Sequence, residues 1–243
     1  MPLHNHFAPP LARTHPWRGF HSAWAAAIAR HLNQGVLPAG YYAIPNVSLD
    51  GPIEIDVAAL RERQEETGAS PGEPAALWSP NEPALIVTLD LPALELVEVQ
   101  VFWDEGDPQL KAAVELVSPG NKDRPDSRRV LAVKCVSYLH AGSSVVLVDV
   151  VTSRRANFHA EILRLLELNG PAAWQSPSEL YAVAYQSGVI EKRRMLRAWP
   201  EALALGSPLP RVPLWLGVEI CVPLDLETTY QMTCTDLRIR LAS

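Results

Sequence analysis

Apolar residues recur with two different periods along the chain, and together they predict an α/β fold. Near the N-terminus they recur at three- and four-residue steps, which is typical of a helix buried on one side. Pro16 precedes this run and Asn33-Gln34-Gly35 follows it, as helix start and stop signals do. The pattern predicts an amphipathic helix over 16–33. Its apolar positions are Trp17, Phe20, Trp24, Ile28 and Leu32.

Alternating and continuous apolar runs predict strands in the middle of the chain. The expected strands are 41–47, 53–60, 84–89, 94–103, 111–117 and 145–151. A turn at 104–108 makes 94–103 and 111–117 a hairpin, which places Glu115 beside residues 97–101. A helix capped by Ser127 and running to about Ala141 follows. Strand, helix and strand predict a crossover, so the strand of Glu115 and the run 145–151 should be parallel neighbours.

The flanking segments predict a single domain, 16–243, with additions. Residues 1–15 lack periodicity and predict an extended N-terminal arm, and the polar, Pro- and Gly-rich stretch at about 61–83 predicts a loop insertion. After a helix from about His159 to Leu168, strands are expected at 178–186, 191–198 and 212–222. Prolines in and around the last of these predict edge strands or docked loops. The three segments together predict a C-terminal β-rich extension.

Composition is that of a globular protein of the cytoplasm. The 243 residues are 48% hydrophobic and 20% charged, and no uncharged apolar run reaches 18 residues. The N-terminus lacks a basic and apolar leader, so we expect a cytoplasmic protein with no membrane partner. Cys135, Cys221 and Cys234 lie in apolar segments and predict buried free thiols, and the Cys and His spacings of a zinc site are absent.

The distribution of charge bears on a nucleic-acid partner. A net charge of -6 opposes bulk electrostatic affinity for nucleic acid. The charge is uneven, because residues 45–110 carry 14 acidic and 2 basic side chains, whereas residues 111–197 carry 13 basic and 8 acidic. The locally positive half is compatible with a nucleic-acid partner and equally with an ordinary solvated surface. The sequence leaves the oligomeric state open.

Two carboxylates lie in the middle of apolar strands. Glu115 stands in Val114–Val117, and Asp56 stands in the expected strand 53–60. Burying a carboxylate costs several kcal/mol unless a cation or hydrogen bonds compensate it. Two hard oxygen ligands suit Mg²⁺ or Mn²⁺, so one interpretation is a metal site. Structural ion pairs are the alternative.

These segments resemble the core of the restriction-endonuclease-like superfamily, the PD-(D/E)xK nucleases. Their order is similar to that of an uncharacterised bacterial domain-of-unknown-function family placed in that superfamily. The resemblance implies a restriction-endonuclease-like core, in which a central mixed sheet is flanked by helices, and a metal-dependent nuclease activity. The segments that carry it are GFHSAW (19–24), LPAGYYA (37–43), IEIDVAAL (53–60), VELVSPGNK (114–122) and LVDVV (147–151).

The resemblance also implies roles for individual residues. Asp56 matches the first acid of the superfamily and Glu115 the second, and these two would hold Mg²⁺ or Mn²⁺. Val117 stands where the superfamily usually has Lys, and Lys134 on the following helix is similar to the migrated lysine of some branches. Lys134 would stabilise the charge that develops on the phosphorane during attack by water.

Other residues are candidates for binding substrate phosphate or completing the site. Asn121, Lys122 and Arg129 are expected to bind substrate, with a turn and helix cap as the alternative for the first two. His21 is similar to a histidine that approaches the metal in RecB-like members, although a lone His on an apolar face is more often a core residue. Asp149 and Tyr138 are further candidates, with strand-end and core roles as their alternatives.

Two functional hypotheses therefore stand. The first is a metal-dependent nuclease that acts on phosphodiester bonds. The second is a non-enzymatic binding or structural module with a decayed nuclease-like site, which Val117 at the usual lysine position and the acidic net charge favour.

Overall fold

A six-stranded mixed sheet between two layers of packed elements organises the chain. The computed structural model describes residues 2–48, 96–104, 106–168, 179–190 and 193–239. The helices are α1 (Leu11–Thr14), α2 (Trp17–His31) with a π-helical turn after it (Leu32–Val36), α3 (Pro119–Asp123), α4 (Pro125–His140), α5 (Phe158–Leu165) and α6 (Leu226–Asp236). The strands are β1 (Tyr41–Ser48), β2 (Leu96–Trp103), β3 (Gln109–Leu116), β4 (Ser144–Asp149), β5 (Leu180–Ile190), β6 (Arg193–Leu203), β7 (Arg211–Trp215) and β8 (Cys221–Asp225).

The strands of the large sheet follow one another in chain order, from β1 to β6. β3 and β4 are parallel, and every other neighbouring pair in this sheet is antiparallel. The connection between the parallel pair runs through α3 and α4, as a parallel pair requires. The expected α/β class with a mixed central sheet and the expected β3–β4 crossover are both confirmed.

The two faces of the sheet carry separate apolar cores, because side chains alternate along each strand. Val97, Val99 and Val114 point to the face covered by α2, α6 and the β7–β8 hairpin. Val145 and Leu147 point to the other face, where the buried side chains of α4 and α5 lie. Glu98 and Glu115 fall on alternate positions to the first set, and therefore face α4.

The C-terminal region differs from the expected β-rich extension. Residues 211–225 form a two-stranded hairpin rather than one strand, and the helix α6 follows it. The carboxylate of Asp225 caps this helix by accepting a hydrogen bond from the backbone N–H of Thr228 at 2.8 Å. Sequence periodicity missed α6 because two of its buried positions are the polar residues Thr229 and Thr233, whose hydroxyls donate to backbone carbonyls one turn earlier.

The N-terminal segment is packed, which corrects the expectation of an extended arm. Leu3, His6 and Leu11 are buried, and the backbone N–H of Leu3 donates to the carbonyl of Ser207 at 2.9 Å. His6 Nε2 lies 2.7 Å from the hydroxyl of Tyr230 on α6. Burial lowers the pKa of His6 to about 4, so the ring is neutral near pH 7.

Several smaller expectations are also corrected. Pro125 begins α4 and Ser127 is buried within it, so Ser127 is not the cap. Cys135 and Cys234 are buried free thiols as expected, but Cys221 is exposed. The expectations for 53–60, 61–83 and 84–89 lie outside the described residues. Across the described ranges, no helix combines the length and apolar character needed to cross a membrane.

The placement of α4 on the sheet generates a stability prediction. Leu131 is 2% exposed against the sheet, whereas Val133, on the same helix, is 38% exposed. Leu131→Ala should lower the free energy of unfolding by about 2–5 kcal/mol, because it leaves a cavity in the core. Val133→Ala should change it by less than about 0.5 kcal/mol. Urea unfolding of both variants measures the difference, and equal effects would mean that another face of α4 contacts the sheet.

Candidate functional site

Two glutamates stand side by side on neighbouring strands. Glu98 of β2 and Glu115 of β3 are directly opposed in the antiparallel register. Opposed residues in an antiparallel pair point to the same face, so both side chains lie under α4. Glu98 is 2% exposed and Glu115 is 1% exposed. Two buried carboxylates in contact require a compensating positive charge.

Lys134 supplies that charge from α4. Its Nζ lies 2.9 Å from Glu98 Oε2 and 2.9 Å from Glu115 Oε1. Val117, two residues beyond Glu115 on the same face, is buried in the core beneath α4. The ammonium therefore reaches the carboxylates from the helix above the sheet, and the structure brings Glu115 and Lys134 together.

The two carboxylates differ in their hydrogen bonds. Glu98 accepts from three neutral donors: Asn46 Nδ2 at 3.1 Å, Gln100 Nε2 at 3.0 Å and the Tyr138 hydroxyl at 3.1 Å. Glu115 Oε1, in contrast, accepts no aligned hydrogen bond in the described part of the chain, although the ammonium lies beside it. Glu98 is thus held by its neighbours, whereas Oε1 of Glu115 depends on a cation.

The electrostatics of the pair follow from burial and charge. Burial raises the pKa of Glu115 to about 8, with the Glu98 carboxylate adding to the effect and Lys134 opposing it. Burial also acts to raise the pKa of Glu98, but Lys134, Glu115 and Tyr138 outweigh it and hold that pKa below its usual value. The two carboxylates raise the pKa of Lys134 against the effect of burial. Near pH 7 the pair therefore carries mainly one negative charge, matched by one ammonium.

The donor set fits a hard divalent cation. Mg²⁺ is commonly bound through one or two protein carboxylates, with water filling the remaining positions. Glu98 and Glu115 provide two carboxylates, and Oε1 of Glu115 is buried without an aligned donor. Within the described ranges, no group of three or more His, Cys, Asp or Glu side chains is gathered as a metal site. The expected ligand Asp56 lies outside those ranges.

A second buried ion pair joins Lys122 to Asp149, and it corrects the expected role of Lys122. The two charged groups lie 2.8 Å apart and both side chains are fully buried. Lys122 Nζ also donates to the carbonyls of Val151 and Arg154 at 3.1 and 3.2 Å. Burial raises the pKa of Asp149 to about 6, while Lys122 acts to lower it. Lys122 thus fastens α3 to the end of β4 and is not presented to a substrate.

The two remaining substrate candidates, Asn121 and Arg129, differ in exposure. Asn121 forms a capping box with Ser118: its Oδ1 accepts from the Ser118 N–H at 2.7 Å, and its own N–H donates to Ser118 Oγ at 3.4 Å. The helix-cap alternative therefore accounts for Asn121, which is buried. Arg129 is exposed on α4.

His21 lies in the layer on the opposite side of the sheet from Lys134, which corrects its expected approach to the metal. It belongs to α2, and its Nε2 lies 2.8 Å from the carbonyl oxygen of Leu116. The ring stacks on Trp17 with centroids 5.0 Å apart. Burial lowers its pKa to about 4, so this is a neutral core histidine.

Sequence reasoning missed Glu98, and the signal for it was present. Glu98 and Gln100 alternate with three buried valines along β2. The predicted hairpin already placed this strand beside Glu115. The register of the predicted hairpin could therefore have shown that Glu98, on the polar side of its strand, lies opposite Glu115.

A cavity beside α4 lies apart from the carboxylates. A cavity of about 300 Å³ lies where α4 and α5 begin. Neither Glu98 nor Glu115 contributes to it. Its lining residues are Pro125, Arg128, Ala156, Asn157, Phe158 and Glu161.

Comparison of the chain with protein-family models, curated proteins and solved structures finds no match. The geometry of the two carboxylates and Lys134 is therefore the basis on which a function can be proposed.

Glu115 should make stability depend on pH. Its pKa in the folded protein, about 8, exceeds the ordinary value of 4.5. Its contribution to the free energy of unfolding is therefore complete below pH 4.5 and is lost as the pH rises through about 8. Glu115→Gln removes this loss. The free energy of unfolding of the variant, relative to that of the parent, should therefore rise by up to roughly 4 kcal/mol between pH 5 and pH 9.

Urea unfolding across that pH range measures the effect. Glu161→Gln is the control: hydrogen bonds from Arg164 lower the pKa of Glu161 below its ordinary value of 4.5, so this carboxylate is ionised in both states from pH 5 to pH 9 and the profile of the variant should run parallel to that of the parent. Parallel profiles for the parent and Glu115→Gln would show that Glu115 is ionised at the same pH in the folded and unfolded states.

Breaking the Lys122–Asp149 pair should destabilise the protein strongly. Lys122→Met leaves the Asp149 carboxylate buried without its cation, so the free energy of unfolding should fall by about 3–5 kcal/mol. Lys111→Met is the matched control, because the hydrogen bond from Lys111 to Gln109 is exposed, and its effect should stay within about 0.5 kcal/mol. Equal losses in the two variants would contradict the buried pair.

Proposed function

We propose that this chain is a metal-dependent nuclease that hydrolyses phosphodiester bonds. One observation carries the proposal: a lysine ammonium lies 2.9 Å from each of two buried carboxylates on neighbouring strands. Acids on adjacent strands with an assisting lysine are what the resemblance to PD-(D/E)xK nucleases implies. The proposal also includes the restriction-endonuclease-like core, a nucleic-acid substrate and a cytoplasmic location.

Glu98 and Glu115 would hold the metal in this proposal. Glu98 occupies the strand next to Glu115, the place that the resemblance assigns to the first acid, and Asp56 stays a candidate third ligand. Bound Mg²⁺ or Mn²⁺ would supply an activated water and positive charge at the phosphate. The donor chemistry fits, since these ions prefer carboxylate oxygen and retain several waters.

The protein side chains have separable tasks. Glu98 is oriented by Asn46, Gln100 and Tyr138, so its carboxylate is preorganised before any ligand arrives. Lys134 brings a permanent positive charge to the site, because its pKa is raised by the two carboxylates. Such a charge stabilises the negative charge that accumulates on phosphate oxygens during hydrolysis.

A second function, a non-enzymatic binding module, is favoured by the closure of the site. The two carboxylates are 1–2% exposed and the ammonium already neutralises them. In this alternative the three residues are a structural ion-pair network, and the exposed surface binds a partner without chemistry. A buried network of this kind is destabilised when one member is removed.

Nuclease assays test the first proposal. Purified protein with Mg²⁺ or Mn²⁺ should cleave single- or double-stranded DNA or RNA, and chelation should abolish cleavage. Glu115→Gln and Glu98→Gln should each lower the cleavage rate at least about 100-fold, while Glu161→Gln on the exposed surface of α5 should leave it unchanged. Equal cleavage by the parent and Glu115→Gln would trace the activity to a contaminant.

Thermal melting separates the two functions before a substrate is known. If the site binds metal, Mn²⁺ should raise the Tm of the parent but not of Glu115→Gln, and metal-free Glu115→Gln should be at least as stable as the parent. If the network is structural, Mn²⁺ should have no effect, and Glu115→Gln should lose about 3–5 kcal/mol. The second result would overturn the nuclease proposal.

A further inference from the structure

We infer that Lys134 is the resident cation of the Glu98–Glu115 pair, and that a divalent metal ion binds there by displacing its ammonium. The inference rests on the proposed function, because it assumes that this pair is the metal site. It adds a regulatory element: the affinity for metal is set by competition with a side chain of the protein itself.

The position of the ammonium is the first support. Lys134 Nζ is equally distant from the two carboxylates, at 2.9 Å from an oxygen of each. This is the location that a cation shared by both carboxylates would take. Nζ makes no aligned hydrogen bond in the described chain, so it is held by charge rather than by directed hydrogen bonds to acceptors.

The asymmetry between the two carboxylates is the second support. Glu98 would keep its hydrogen bonds from Asn46, Gln100 and Tyr138 after the ammonium moved away. Glu115 has Lys134 as its only ion-pair partner among the described residues. Loss of the ammonium therefore leaves the preorganised Glu98 carboxylate without its cation beside Glu115, which releases its proton when a metal ion binds.

The ammonium can also move outward, toward solvent and the ring of Tyr138. The side chain of Lys134 is 11% exposed, whereas those of both glutamates are 2% exposed, so the lysine lies at the solvent side of the cluster. Its Nζ is already 5.7 Å from the ring centroid of Tyr138, one helical turn further along α4. A flexible four-carbon stem and a neighbouring aromatic face allow the charge to move outward without leaving the helix surface.

Coulomb repulsion makes the two cations exclusive. A monovalent and a divalent charge a few ångströms apart repel strongly in a buried site, so they do not share the space between the carboxylates. The free energy of metal binding therefore includes the cost of displacing the Lys134 ammonium. Replacing Lys134 with an uncharged side chain of similar length removes that cost, so the metal should bind more tightly.

The test is the dissociation constant for Mn²⁺, measured by isothermal titration calorimetry and by the EPR signal of free Mn²⁺. Lys134→Met should lower the Kd at least about tenfold relative to the parent. Lys134→Arg keeps a positive charge that cannot be lost, so its Kd should equal or exceed that of the parent. Lys111→Met removes the same charge from a half-buried position near the start of β3 and should leave the Kd unchanged.

The outcomes separate this inference from the proposed function. Metal binding by the parent with an equal or higher Kd in Lys134→Met would overturn the competition and leave the nuclease proposal intact. Tight binding by Lys134→Met with none by the parent would support the competition and overturn the nuclease proposal. Binding by neither would overturn both. If Lys134→Met does not fold, a lower Kd for Lys134→Arg than for the parent contradicts the inference.

Discussion

The contact between two buried carboxylates and one ammonium constrains the whole α4 side of the sheet. Glu98 and Glu115 are placed by the β2–β3 register and cannot turn away from the helix. Without a cation, burial of both charges would cost several kcal/mol, so α4 must lie where Lys134 reaches them. Leu131, Cys135 and Leu139 then pack from the same helix into the core beneath it. The polar contact and the apolar packing thus require the same placement of α4.

Two lysines hold the crossover connection onto the strands that it joins. Lys122 of α3 bonds to Asp149 at the end of β4, and Lys134 of α4 bonds to the glutamates of β2 and β3. In both cases the acid belongs to a strand and the base to the connecting helices. Lys122 donates to two backbone carbonyls besides its carboxylate, whereas Lys134 makes no aligned hydrogen bond among the described residues and lies between two carboxylates. This difference explains why one pair is structural and the other is the candidate site.

Strands of the central sheet could be predicted because apolar periodicity in the sequence becomes burial directly. The run 145–151 is apolar apart from Asp149 and covers most of the fully buried β4. The partner of Glu115 was harder to predict, since it depends on the register of the β2–β3 hairpin rather than on a motif. α6 was missed for another reason: buried threonines such as Thr229 satisfy their hydroxyls within the helix, so the sequence looks polar. Fold class follows from local pattern, whereas side-chain partners follow from long-range register.

The contact between the N-terminal segment and α6 has a consequence for how the chain folds during synthesis. His6 bonds to Tyr230 across 224 positions of sequence, and Trp24 bonds to Thr229 across 205. The part of α2 that α6 covers therefore stays uncovered on the ribosome until almost all of the described chain has been made. The α4 layer, in contrast, is assembled from segments that follow one another closely. Because loop closure over long separations is slow, the α2 layer should close last and be the one exposed to chaperones.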